Sequence, residues 1–541
     1  MRSASALLLL LAIPVLVCAH RASGQGYICA EGGGALTRGT WSTPIFAWMA
    51  EKSGRGPVVI LAAPEVAAPA PPKPADPTIQ DLEPLPPTEP ADPPASTTPG
   101  QPDALTQRFL DAGAAKVDDL RPTRAMADNS ELATLVANAS VVFIRGGSQT
   151  EYVNTWKGTQ LEAAIKSVFA KGGVVGGTSA GCAVLGEIIY DAQEGSCASR
   201  DALTDSRTAK ISFTTNFLSL TPGVLFDTHF TDRARLGRLA VMLGQLEVDS
   251  ARQILGIGLD ARTALCISPD GKAFVMGQGS ATILSLTTES RVRIAAGLPP
   301  LVTHLALTSM VAGQTYDLPK RRLLTLPPVV GERVAMNIVE RDLAASSAGR
   351  LCEPCTLRGD ALADSEAGQW RVSDLDDREA LWNGRLRLAP AESRLRSVIL
   401  QTRAFDSDEF NQNRIGGLLW AARLRPGNLA VALSRGANLE VKKPAIFRII
   451  PDDDADTPDH AALILETAGI GNLGSALDRS SPSALGARQS VAFEGAVLHV
   501  LPTGWAYDAH MRRPVEPRAV PSAPKPEATR ENTPVPDDQP K

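Results

Sequence analysis

Basic residues do not outnumber acidic ones in this chain. Lysine and arginine total 54 against 59 aspartates and glutamates, a formal charge of −5 over 541 residues. That balance excludes nucleic acid or an anionic membrane surface as the main partner. A membrane-spanning run is also missing. The apolar stretch Ala6 to Val17 is too short to cross a bilayer securely, and no membrane span is expected. With Arg2 before it, this stretch fits the core of a secretory signal. Residues 1–24 are therefore predicted to be a signal peptide cut after Ala19 or near Gly24, and the protein to be secreted or periplasmic. Cys18 has Val17 before it where a lipoprotein cysteine is expected to follow a small residue, which argues against a lipid anchor. Cysteine is scarce, seven in all, and Cys352 and Cys355 form the only close pair. No second Cys-x-x-Cys and no nearby histidine accompany them, so a metal or redox site lacks its partners. A local disulfide or two free thiols is expected instead. No cofactor and no metal are called for.

What remains reads as α/β. Residues 26–34 predict a short strand ending in Glu31-Gly-Gly-Gly34. Ser42 or Thr43 caps a helix with Pro44 in its first turn and Gly54 just past its end. Pro57 to Ala62 is a buried strand. From 63 to 102 the composition shifts to Pro, Ala, Asp, Glu and Thr without periodicity, a disordered insert. Helices are then predicted over 104–112, 130–137 and 160–170, with extended segments at 116–120, 140–145 and 173–176. Such alternation means a mostly parallel sheet with helices on both faces, and ligands bind at the carboxyl ends of its strands.

Two segments fall at those ends. Gly146-Gly147-Ser148-Gln149 follows one strand, and Gly177-Thr-Ser179-Ala-Gly181 follows another. The second is a strand, a tight elbow and a helix. Small residues around Ser179 let the backbone strain and lift the hydroxyl out, while the helix start faces any negative charge formed beside it. A serine nucleophile needs a base, and only six histidines exist. His229 is the one in the same α/β unit, at the end of a strand and before a helix that carries Arg233, Arg235 and Arg238. Guanidinium groups crowded there suit carboxylate ligands. The α/β-hydrolases set an acid between serine and histidine, well after the serine. Here His229 follows Ser179 by only fifty residues and leads straight into the arginines.

The four segments Gly146–Gln149, Gly177–Gly181, Asp227–Arg238 and Gly256–Asp260 with Thr263–Leu265 occur in an order that resembles the cyanophycinase family of serine peptidases. Its relatives are the peptidase E-type aspartyl dipeptidases, and both share the fold of class I glutamine amidotransferases. The resemblance covers roughly residues 26 to 320. It implies Ser179 as nucleophile, His229 as general base, and the N–H groups of Gly147 and Ala180 as oxyanion hole. It places Gln149, Asp227, Arg233, Arg235 and Arg238 against the substrate. The implied substrate is cyanophycin or another aspartyl peptide, and the products are β-aspartyl-arginine dipeptides. Arginines would hold aspartate carboxylates, and Asp227 a substrate guanidinium.

The chain departs from the family at the triad acid. The family motif reads Asp-Glu where this sequence reads Asp260-Ala261. Asp260, Glu187, Asp191 or Asp227 takes over, or the protein is an impaired enzyme that binds or scaffolds. Thr228 and Ser148 also stand where the family often has glutamine and aspartate. Beyond the α/β domain at 25–330 lies a region at 331–514, then a Pro-rich disordered tail at 515–541. Gly313…Tyr316-Asp317 is echoed by Gly504…Tyr507-Asp508, and Arg235-Leu-Gly-Arg-Leu239 by Arg414-Ile-Gly-Gly-Leu418. This C-terminal extension reads as a degenerate partial repeat or as chance likeness of apolar segments. If a repeat, it would make a pseudo-dimer within one chain; otherwise a homodimer is open.

Overall fold

A computed structural model describes residues 25–34, 41–64, 102–231 and 233–324, then 355–357 and stretches between 398 and 517. The expected signal peptide, nearly all of the insert at 63–102 and nearly all of the tail at 515–541 lie outside the described residues.

The chain begins with β1 (Tyr27–Glu31), α1 (Thr43–Lys52), β2 (Val58–Leu61), α2 (Ala104–Asp111) and β3 (Val117–Leu120). Next come α3 (Arg124–Ala127), α4 (Ser130–Ala137), β4 (Val141–Ile144), α5 (Gln149–Trp156), α6 (Gln160–Ala170) and β5 (Val174–Thr178). Then follow α7 (Ala180–Ala183), β6 (Gly186–Tyr190), α8 (Ser199–Thr204), β7 (Phe213–Thr214), β8 (Thr221–Thr228) and α9 (Leu236–Ser250). A run of strands closes the first half: β9 (Leu255–Leu259), β10 (Thr263–Ile267), β11 (Lys272–Gly277), β12 (Ala281–Ser285), β13 (Val292–Arg293), β14 (Leu301–Met310), β15 (Thr315–Asp317) and β16 (Arg322–Leu323). Strands also make up most of the described part of the second half. They are β17 (Cys355–Leu357), β18 (Val398–Gln401), β19 (Leu429–Ala432), β20 (Asn438–Lys443) and β21 (Ile446–Ile450). After these come β22 (Ala462–Glu466), β23 (Gly474–Asp478), β24 (Arg488–Leu501), β25 (Ala506–Asp508) and β26 (Arg513–Val515).

In the first sheet the order is β16-β15-β11-β10-β1-β5-β4-β2-β3, and β1, β5, β4, β2 and β3 run parallel. Apart from Glu31 and Thr178 at their carboxyl ends, β1, β5, β4 and β2 are largely apolar because both faces are covered. Val59, Leu61, Val142 and Ile144 face one cluster with Tyr152, Trp156, Leu161 and Ile165 from α5 and α6. Val58, Ile60, Val141 and Phe143 face the other, with Phe46, Met49, Leu105 and Phe109 from α1 and α2. This is the expected α/β arrangement with helices on both sides. Local signals set the helices. In α6, Thr159 caps the Glu162 amide, and Leu161, Ala164, Ile165 and Val168 recur on one buried face. Burying each of the larger ones contributes about 1.5–3 kcal/mol.

The second sheet is parallel only in part. β6, β8 and β9 run parallel, whereas β12, β14, β24 and β22 join antiparallel. This sheet crosses the boundary expected at 330. A single apolar cluster holds Leu239, Leu305 and Leu307 together with Phe405, Leu418, Leu463, Leu498 and Val500. The two regions therefore share a core instead of folding as separate bodies. Among the described residues no helix is long and apolar enough to cross a membrane. Cys29, Cys182, Cys197 and Cys266 are buried free thiols, while Cys352 lies outside the described residues.

Candidate active site

The carboxyl ends of β1, β4 and β5 in the first sheet meet those of β8 and β9 in the second, through backbone contacts of Glu31 and Gly32 with Ser179, His229 and Asp260. Ser179 stands between β5 and α7 with φ +53° and ψ −119°, outside the ordinary regions for a residue with a side chain. Strain of this kind persists only where surroundings over-determine it. Here the Ser179 amide donates to the Glu31 carbonyl at 3.0 Å, and the Ser179 carbonyl accepts from Cys182 and Ala183. The glycine frame is a packing requirement. A Cβ at Gly177 would overlap the backbone of Gly181, and one at Gly181 would overlap the carbonyls of Ile144 and Arg145. Gly146 lies against the elbow too, with its virtual Cβ 3.5 Å from Ser179 Cβ.

His229 Nε2 stands 2.9 Å from Ser179 Oγ. The histidine is itself at φ +45° and only 9 % exposed. Its amide donates to the Gly32 carbonyl at 2.9 Å, and its carbonyl accepts from the Arg233 amide at 3.0 Å. Burial, then the charges of Arg233, Arg235 and Arg238, hold its pKa well below the usual imidazole value. Its lowered pKa favours the neutral ring, which faces Ser179 Oγ in a positive field.

Glu31-Gly-Gly-Gly34, read from sequence only as a strand end, is part of this site. A Cβ at Gly32 would overlap the Asp260 carbonyl, and one at Gly33, φ +108°, would overlap the imidazole itself. Gly33→Ala is expected to displace the ring and lower kcat by about 100-fold, the cost of misplacing a catalytic group by roughly 1 Å. Steady-state kinetics check it, with KM little changed. The Glu31 carboxylate lies beneath the elbow, 1 % exposed, and accepts from Thr178 Oγ1 at 3.3 Å. Sequence reasoning missed it because an acid at a strand end is ordinarily solvated.

The other predicted residues divide. Gly147, at φ +153°, and Ala180, first residue of α7, flank Ser179 from two strand ends. Gln149 opens α5, whose cap is Ser148, with its hydroxyl accepting from the Glu151 amide at 3.4 Å. Serine and aspartate cap equally well, so that departure from the family pattern is conservative. Arg233 and Arg235 precede α9 instead of riding on it, since the helix begins at Leu236. Arg233 is half-buried, and Arg235 donates to the Thr228 carbonyl at 2.6 Å.

Two expectations need correction. Arg238 and Asp227 are 2 % and 3 % exposed and bind each other: Arg238 Nε to Asp227 Oδ2 at 2.9 Å and Nη2 to Oδ1 at 2.5 Å. Arg238 also donates to the Cys197 carbonyl at 2.8 Å and lies 4.9 Å over the Tyr190 ring. Burial pushes the Asp227 carboxyl up, but Arg238 and Arg235 hold it net below the usual range. The pair ties β8 to α9 and leaves Asp227 engaged from inside, not open to a substrate guanidinium. Asp260, expected as the triad acid, accepts from the Thr231 amide at 3.0 Å and the Ser280 amide at 2.8 Å. It anchors the loop that carries His229. The other acids weighed are bound as well: Glu187 by Gly223 and Arg252, Asp191 by Ser212 and Thr214. Among the described residues no cluster suits a metal ion.

Residues 93–274 match the family model of Peptidase family S51. The chain is 29 % identical over 241 residues to a cyanophycinase of Synechococcus elongatus, covering 42 % of this chain and 71 % of that one. It is 31 % identical over 223 residues to a cyanophycinase of Trichormus variabilis, covering 40 % and 70 %. Among solved structures, a peptidase from an acI-B1 Actinobacterium aligns with a TM-score of 0.33 and 17 % identity, over 55 % of this chain and 98 % of that one. The glycines that strain the elbow and the histidine that meets it lie within the matched span, and the chain belongs to peptidase family S51.

Proposed function

We propose that the protein is an exported serine-type peptidase that hydrolyses aspartyl peptide bonds, cyanophycin foremost, to β-aspartyl-arginine dipeptides. The observation that carries this reading is the 2.9 Å approach of a strained Ser179 to a buried, neutral His229 beside three arginines. Ser179 Oγ attacks the scissile carbonyl while His229 Nε2 takes its proton. The N–H groups of Gly147 and Ala180 receive the developing oxyanion, and the α7 start adds its positive end. The imidazolium returns the proton to the leaving nitrogen, and water then cleaves the acyl-enzyme by the same route. Arg233 and Arg235 supply the positive field that draws aspartate carboxylates. The names of the relatives support the substrate, and the chain's apolar leader supports export.

Purified protein incubated with insoluble cyanophycin tests this. Dipeptide release, stopped by a serine-directed covalent inhibitor that labels Ser179, is expected. Binding without release favours the second reading, a scaffold, for which the Asp260 bonds to Thr231 and Ser280 speak. The pH profile adds a check. A base whose pKa is lowered stays neutral further into acid, so the acid limb of kcat/KM should fall below the usual histidine value of about 6.5. A limb at or above that value would contradict the burial and the arginine field.

A further inference from the structure

The second half repeats the strand system of the first, element by element. β8 runs parallel to β9, and β18 runs parallel to β19. β9 pairs β12 and β12 pairs β14, all antiparallel; β19 pairs β22 and β22 pairs β24 likewise. The hairpin β10–β11 continues into β15 and β16, and the hairpin β20–β21 continues into β25 and β26. Even the flanks agree, since β1 lies antiparallel to β10 and β17 antiparallel to β20. Between β18 and β19, helical positions Ile415, Leu418, Leu419 and Ala422 are buried against the shared core, where α9 stands between β8 and β9.

The join between the halves carries a two-fold register. The spacing that takes Gly313 to Gly504 and Tyr316 to Tyr507 takes β14 onto β24. Under it Val302 maps to Phe493 and Ser309 to Val500. The observed pairs are Val302 with Val500 and Ser309 with Phe493, each the mirror of the other. Leu305 pairs Leu498, and its mirror Leu307 pairs Ala496. Ala306 maps to Val497 and pairs Val497, so this pair sits on the axis. The register shifts fall symmetrically on either side. The same spacing takes His304, at φ +54°, to Gly495, at φ +84°. Chance likeness of apolar strands does not reproduce a register and its irregularities together. A self-complementary contact of this kind is what two copies of one surface make about a two-fold axis.

We infer that residues from about 398 to 515 are a second copy of the β8–β16 strand system, with β17 placed as β1 is, occupying in cis the place of a second subunit on β14. The edge strand is thereby paired within the chain and closed to another copy. The second copy brings no Gly-x-Ser-x-Gly segment, and no histidine follows Phe405-Asp406 as His229 follows Phe226-Asp227, so one chain carries one serine elbow.

Light scattering on the full chain is expected to give the mass of one chain. Two cysteine variants at the half-buried axis read the geometry. In a homodimer joined at β14, position 306 of one copy would face position 306 of the other. Ala306→Cys alone is therefore expected to form no dimer with a short bis-maleimide beyond the wild-type background. Ala306→Cys with Val497→Cys is expected to close an internal link, seen as one added linker per chain. A two-chain mass, a dimer from Ala306→Cys alone, or no internal link in the double variant would each overturn the inference.

Discussion

Ser179→Ala is expected to lower kcat for peptide hydrolysis by at least about 1,000-fold, since removing a nucleophile leaves only binding and the oxyanion donors. The effect should be confined to chemistry. The elbow is held by backbone contacts at Gly177 and Gly181 and by the Ser179 amide on the Glu31 carbonyl, all of which alanine keeps. The hydrogen bond lost is the one to His229, worth about 1–3 kcal/mol of stability because the buried ring loses its partner. Thermal melting alongside turnover with saturating substrate separates the two. Turnover at the wild-type rate would remove the hydroxyl from the mechanism. The same measurement bears on the missing family glutamate. A chain in which Ala261 had already cost the imidazole its support would show a smaller ratio, because the wild type would itself be slow.

Asp227→Ala should cost about 3–5 kcal/mol of stability, the penalty for stranding one member of a buried ion pair. Arg238 would then keep its charge at 2 % exposure, with the Cys197 carbonyl and the Tyr190 ring as remaining partners. The loss should appear in urea unfolding as a lower midpoint at unchanged slope. Asp227→Ala combined with Arg238→Met should recover at least half of it, because the most buried guanidinium is then gone and Arg235, 3.4 Å from Asp227, keeps its bond to the Thr228 carbonyl. If the double variant is as weak as the single one, the pair acts through shape and not through charge. A substrate-contacting Asp227, by contrast, would leave stability intact and raise KM.

Sequence carried the catalytic frame further than it carried the roles of charged residues. Ser179 and His229 were legible because small residues, a buried strand and a following helix leave a local pattern. α6 was legible to its ends for the same reason, having a cap and a regular apolar face. α5 was missed: Gln149 to Trp156 puts Tyr152, Val153 and Trp156 inward without a long period. Arg238 and Asp227 were read outward because sequence does not say which side of a strand end faces the core. Asp260 looked like an acid for the imidazole, yet its oxygens close a loop. The role of Gly33 depended on a ring almost two hundred residues away in sequence, beyond any local signal.

The bulge pair at His304 and Gly495 has an evolutionary consequence. In an assembly of two identical chains every substitution at the axis appears on both sides, and its cost is counted twice. Here the gene can alter one side alone. One bulge carries glycine, for which a positive φ is free of strain, and the other carries histidine, which packs edge-on to His499 at 4.7 Å. A joint made of one polypeptide can thus lose its symmetry one residue at a time while its register stays intact.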